Sequence, residues 1–305
     1  MEQNNDLVWP QYVKVTPQSI GSPVFFDTSN PEEKPESAAK YRKRKILSLV
    51  IGLVVLAIIW VITLASDAEL GIIISILLSV LVLWFMIAAF RSAAFLGEDY
   101  FVGTEGYAIY HFKGSRDAID ERKEHGFKDF SQVLRSLETI TRNGNSETKY
   151  SFHFLRKKDA DVWEAVDSYS AKVYGRDLKG DKKYGFLNKV EEQFCQQLLA
   201  KTYEDLLEGI PARFETFHSF GGGEWQSGKA IILSPGRIQF GDKVYDKSNL
   251  GDIVVSNGTL YIFDKNYGSR LISSKGEKDE ISLKNIGNFP VFVTILRKLF
   301  VVRKN

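Results

Sequence analysis

The stretch YRKRKILSLVIGLVVLAIIWVITLASDAELGIIISILLSVLVLWFMIAAFRSAAF, residues 41–95, decides how the chain is organised. Ile46 to Ser66 and Leu70 to Phe90 are each 21 residues without a charge. About 20 apolar residues rising ~1.5 Å apiece span a hydrocarbon core of about 30 Å. Only Asp67, Ala68 and Glu69 separate the two runs. Charges are costly at the bilayer centre and solvated in an interfacial turn, so the pattern predicts a transmembrane α-helical hairpin, 46–66 and 70–90, within residues 40–91. Lys40, Arg42, Lys43, Arg44 and Lys45 flank the first run, Arg91 follows the second, and the turn has no base. By the positive-inside rule both termini are expected in the cytoplasm, with the lipid bilayer as the first partner. In a bacterial cell this would be the inner membrane. A first apolar run beginning at residue 46 without a small-residue cleavage pattern does not fit a cleaved signal peptide.

Outward from the hairpin the composition changes. Residues 1–39 hold six acidic and two basic side chains and five of the eight prolines, Pro10, Pro17, Pro23, Pro31 and Pro35, which predicts a disordered N-terminal tail. Forty basic against thirty-eight acidic residues give a net charge of +2, a balance that does not point to nucleic acid. The single cysteine, Cys195, allows no intramolecular disulfide.

Beyond residue 97 the chain reads as strands. Thr104-Glu105-Gly106-Tyr107-Ala108-Ile109-Tyr110 and Ser234-Pro235-Gly236-Arg237-Ile238-Gln239-Phe240 share the spacing hydroxyl-x-Gly-x-x-x-aromatic. Asn143-Gly144 and Asn257-Gly258 mark hairpins at comparable places, the first with a loop longer than the tightest turn because Asn145 to Glu147 are polar. Each strand series ends in an amphipathic helix. The first carries Leu187, Val190, Phe194, Leu198, Tyr203, Leu206 and Ile210 on its stripe, with Glu191 and Glu192 on the polar side. The second begins near Pro290, with Val291, Ile295, Leu299 and Val302 on one stripe and Arg297 and Lys298 facing water. The expected organisation is a first unit over 97–215, a Gly-rich linker over 216–228 and a second unit over 229–305, two divergent copies of one strand-rich, helix-capped design.

TEGYAIY, SPGRIQF and the terminal PVFVTILRKLF carry a resemblance to the pleckstrin-homology-like (PH-like) fold, a bent antiparallel sheet closed by a C-terminal helix. With the hairpin in front, the chain is similar to bacterial membrane-anchored proteins with PH-like domains. The resemblance implies two PH-like units in an α+β, mostly β cytoplasmic region. Lipid headgroups are met in that fold by bases on the first hairpin, where this chain has Lys113 and Arg116, followed at once by Asp117, Asp120 and Glu121.

Candidate chemistry is sparse. His111, His125, His153 and His218 show no metal-site or catalytic spacing, although His111 and His153, both in HF pairs on predicted strands, suit a meeting across a sheet. Cys195, beside Phe194 on the first amphipathic stripe, reads as a buried thiol. SFGGGEWQSGK lacks the P-loop spacing before Lys229 and is followed by a strand pattern. Asp159, Asp161 and Glu164 lack EF-hand spacing, and Trp163 reads as packing. The expectation is a non-enzymatic membrane-anchored binding or assembly module with no cofactor and with a protein partner or a second copy of itself. A lipid-headgroup sensor is the alternative reading and an enzyme the third.

Overall fold

The computed structural model describes residues 8–11, 13, 15–29, 35–65, 69–92, 96–113, 119–175, 177–221, 223–265, 267 and 278–304. It mixes helices with mostly antiparallel sheets. Strand β1 (Pro23–Thr28) precedes helices α1 (Pro35–Ala65) and α2 (Glu69–Ser92). The basic cluster from Lys40 to Lys45 lies on α1, which starts before it, and Arg91 lies on α2. Ile46–Leu64 is long and apolar enough to cross a membrane, and with 11% of it buried no protein core covers it. Ser75–Ile87 of α2 is a shorter apolar stretch. Of the expected turn Asp67–Glu69, Asp67 and Ala68 lie outside the described residues and Glu69 begins α2.

The proline-rich tail is not without structure over its described part. β1 joins β2 (Leu96–Gly103), β3 (Gly106–Lys113) and β4 (Ile119–Gly126) in a four-stranded sheet of order β1-β2-β3-β4. Pro23 is tolerated because it is the first residue of its strand. Just before it, Ile20 is fully buried and its carbonyl accepts from the Glu105 N–H at 2.8 Å. A Cβ on Gly103 would collide with that carbonyl, so the approach needs glycine.

The chain divides into two compact units, Met1–Gln18 with Phe26–Phe101 and Ala108–Glu124, and Ser19–Phe25 with Val102–Tyr107 and His125–Asn305. In the first, the buried Phe101 ring meets Trp9, Phe26 and Tyr110 at centroid distances of 5.3, 5.1 and 5.1 Å. In the second, Tyr107 packs on Phe154 at 5.1 Å and Phe186 at 5.9 Å.

The second unit is built on three long strands, β5 (Gln132–Arg142), β6 (Asn145–Lys157) and β7 (Val162–Tyr174), and on helix α3 (Lys182–Leu207). The Asn143-Gly144 hairpin is tighter than expected. Arg142 stands directly opposite Asn145, and Asn143 and Gly144 have φ of 49° and 80°, the two positive values a two-residue type I′ turn requires. The polar residues after it extend β6 instead of the loop, and Thr141 and Ser146 pair their hydroxyls at 3.0 Å.

After α3 come β8 (Ala212–Phe214), β9 (Phe217–Gly221) and β10 (Glu224–Ser227). β9 and β10 occupy the stretch expected as a linker and complete a five-stranded sheet of order β5-β6-β7-β10-β9. Gly221 ends β9 and Gly223, at φ 83°, leads into β10. Trp225 lies opposite Trp163, whose ring meets Phe217 at 5.3 Å, so burial of aromatic surface outweighs glycine flexibility here. Glu224 and Glu164 also face each other, a repulsion offset by Lys158 on the first and Arg156 on the second.

The chain continues through β11 (Ile231–Ser234), β12 (Arg237–Phe240) and β13 (Lys243–Asp246), in a sheet of order β13-β12-β11-β8. It then forms β14 (Leu250–Ser256), β15 (Thr259–Asp264) and β16 (Lys278–Ser282), a 3-10 turn at Leu283–Asn285, helix α4 (Phe289–Leu299) and β17 (Arg303–Lys304). The last sheet has the order β16-β15-β14-β17. Asn257-Gly258 makes the predicted turn, Ser256 opposite Thr259.

Both helices correct the sequence reading in phase. Glu191, expected on the polar side of α3, is buried, while Ile210 from the expected stripe lies past the helix end and is exposed. On α4 the buried face is Val291, Phe292, Ile295 and Leu296; Leu299 is half-buried, and Val302 lies past the helix end. Arg297 and Lys298 are exposed as expected.

Candidate functional site

The strand β5 is an edge. Among the described residues it pairs with β6 alone, and the backbone of its other side is hydrogen-bonded only at its start. There Asn288, just before α4, acts as a one-residue substitute for a strand. Its N–H donates to the Val133 carbonyl at 2.9 Å, its Oδ1 accepts from the Val133 N–H at 2.8 Å, and its Nδ2 donates to the Ser131 carbonyl at 3.0 Å. Doing so holds Asn288 in the left-handed region at φ 52°, which asparagine tolerates better than most residues. The chain then turns away into α4, and a groove of about 590 Å³ opens beside the rest of β5.

One bank of this groove is Arg135, Ser136, Leu137 and Glu138. The other is the Asn257-Gly258 turn with Thr259, the 3-10 turn with Leu283 and Lys284, and the first part of α4 with Phe289, Pro290 and Val293. Arg135 is committed elsewhere, donating to Glu191 at 2.9 Å and Asn188 at 3.1 Å on α3. Burial raises the Glu191 carboxyl above its usual range, and the Arg135 charge only partly offsets that. Lys284 is exposed and has no carboxylate partner among the described residues.

Ser136 and Lys284 also line a second hollow of about 440 Å³ over the outer face of the long sheet, with His153, His218 and Trp225. Ser136 and Ser151 join hydroxyls across the strands at 2.8 Å. The His153 ring lies 4.7 Å from Trp225, its Nδ1 is 2.9 Å from the Ser168 hydroxyl, and burial lowers its pKa. His153 and His218 thus line the same hollow. His111 belongs to a different set of partners, Glu98 at 3.2 Å and Glu121 at 4.0 Å.

A half-buried polar cluster surrounds Asp167. Its carboxylate accepts from Tyr107 at 3.3 Å, from Tyr169 and from the Ser168 N–H at 2.9 Å, and His125 Nε2 lies 3.4 Å away. Burial opposes the charge, but His125, Tyr169 and Ser168 together hold the Asp167 carboxyl below its usual range. Burial, then the neighbouring Tyr169 and Asp167, raise the Tyr107 hydroxyl well above its ordinary value. Asp167 thereby cross-links β3, β4 and β7 through Tyr107, His125 and its own strand. Cys195 is buried, and burial with the Glu191 charge pushes its thiol up to about 12.

Of the residues singled out in the sequence, Lys113 ends β3 and Arg116 lies outside the described residues. Trp163 packs as expected. Among the described residues no three His, Cys, Asp or Glu side chains gather to hold a metal ion. Sequence reading missed Asn288, Lys284 and the open side of β5; the only local signal was an Asn just ahead of a helix-opening proline. Comparison with protein-family models, curated proteins and solved structures gives no match.

Proposed function

We propose that the chain is a membrane-anchored binding or assembly module, without catalysis of its own, that holds its strand-rich region at the cytoplasmic face. In this reading α2 is a second span paired with α1, and the strand series ending in α3 and α4 are divergent PH-like units. Support for the paired spans comes from the Thr63 and Ser75 hydroxyls bonded to each other and from Met86 against Gly52, the small-residue approach that lets apolar helices associate in lipid. Support for the repeat comes from the parallel placement of the Asn143-Gly144 and Asn257-Gly258 turns, each inside a strand meander that ends in a helix.

The observation that carries the binding reading is the groove beside the half-covered edge of β5. Exposed strand edges invite pairing with other chains and are ordinarily short, charged or covered. The test is affinity isolation of the full chain from native membranes in mild detergent, wild type beside Thr259→Trp, which fills the groove. The reading predicts a partner retained by the wild type and lost from the variant. Equal recovery from both, or no partner with the wild type, refutes it. A cysteine placed at Ala68 should be labelled from outside intact cells and one at the C-terminus should not; the reverse pattern overturns the cytoplasmic orientation.

A further inference from the structure

The geometry points to an extended peptide as the ligand of this groove, added to β5 as a further strand over Arg135–Thr139 with an acidic side chain set against Lys284. This rests on the binding-module reading and specifies its ligand.

The phase of β5 is fixed twice. At its start both backbone groups of Val133 turn outward to Asn288. At its end the two-residue turn makes Arg142 and Asn145 the closing pair, so even-numbered residues bond to β6 and odd-numbered ones face away. Both ends agree. Arg135, Leu137 and Thr139 therefore each aim an N–H and a C=O away from β6, and among the described residues nothing meets them. Asn288 satisfies the residue before this series and shows that the edge accepts a partner.

The groove's shape selects the occupant. A second copy docking through its own β5 would bring β6 behind it, one further strand spacing of about 4.8 Å out, toward the opposite bank that the Asn257-Gly258 turn and α4 form. A lone strand brings nothing behind it. Its five residues opposite Arg135–Thr139 would extend roughly 17 Å. Side chains of an added strand alternate between faces. Leu137, half exposed, with Pro290 and Val293, offers apolar contact to one set. Lys284, a cation with no carboxylate partner among the described residues, favours an acid in the other.

The test uses the full chain in lipid nanodiscs and a displayed library of random peptides, with enriched peptides resynthesised carrying single backbone N-methyl groups. Methylation at every second position is expected to weaken binding about tenfold or more, with the intervening positions indifferent, because only alternate N–H groups face β5. Leu137→Pro removes one outward N–H and leaves the β6 ladder intact, and should weaken the same peptides comparably. Lys284→Glu should select against those bearing an acid. A methylation scan without the two-residue period, or a library that yields no binder, overturns the proposal. Self-association abolished by Leu137→Pro overturns it in favour of a second copy. Should the Thr259→Trp comparison still show groove-dependent capture while the scan is flat, the module reading stands and the added-strand ligand falls.

Discussion

Replacing Asn288 by alanine isolates the contact that closes the start of β5. Val133 is fully buried, so its N–H would lose its acceptor with no water to replace it, a cost of about 1 to 3 kcal/mol. Loss of the bond from Nδ2 to the Ser131 carbonyl adds about 1 kcal/mol. Alanine at φ 52° adds about 1 kcal/mol more. Together these come to roughly 3 to 5 kcal/mol, against a typical domain stability of about 5 to 15 kcal/mol. Asn288→Gly loses the same two side-chain bonds but accepts the left-handed backbone, so it should be about 1 kcal/mol milder. Urea unfolding followed by tryptophan fluorescence measures both variants, and amide exchange at Val133 should accelerate in each. A cost below about 0.5 kcal/mol for Asn288→Ala, or unchanged exchange at Val133, would show that this side chain does not hold the edge.

Ile295→Ala removes a fully buried side chain from α4 and should cost about 2 to 5 kcal/mol, whereas Lys298→Ala should stay within about 0.5 kcal/mol in the same urea titration. Native Cys195 should react with iodoacetamide at mildly alkaline pH far more slowly than in urea, because its thiol is buried and titrates at about 12; equal rates would contradict the packing of α3. The folded value of Glu191 lies above its ordinary one, so its stabilising contribution is complete below the unfolded pKa and fades as pH rises through the folded pKa. Urea midpoints of wild type minus Glu191→Gln should therefore fall from mildly acidic to neutral pH. A flat difference would mean that Arg135 fully compensates the burial.

Local patterns revealed the helices, the two Asn-Gly turns and most of the strands, because each depends on residues a few positions apart. The Gly-rich stretch at 216–228 was misleading for the same reason: local composition suggests a flexible joint, while the aromatic partners of Phe217 and Trp225 arrive from Trp163 and His153, more than fifty residues away. Glu191 escaped notice because its partner Arg135 lies on another element. The groove was illegible outright. Whether an edge is open depends on what the whole chain fails to place beside it, and RSLETIT reads alike in an edge and in an interior strand.

The bond between Val133 and Asn288 joins residues 155 apart, and so sets a schedule for the newborn chain. A ribosome adds roughly 5 to 20 residues per second, so β5 emerges many seconds before the asparagine that finishes it. Throughout that interval the buried end of the strand is as bare as its groove, while α1 and α2 have already been made. Maturation of this sheet edge must therefore wait for Asn288, and a transcript truncated shortly before it would yield a chain with the full length of β5 still open to any strand nearby.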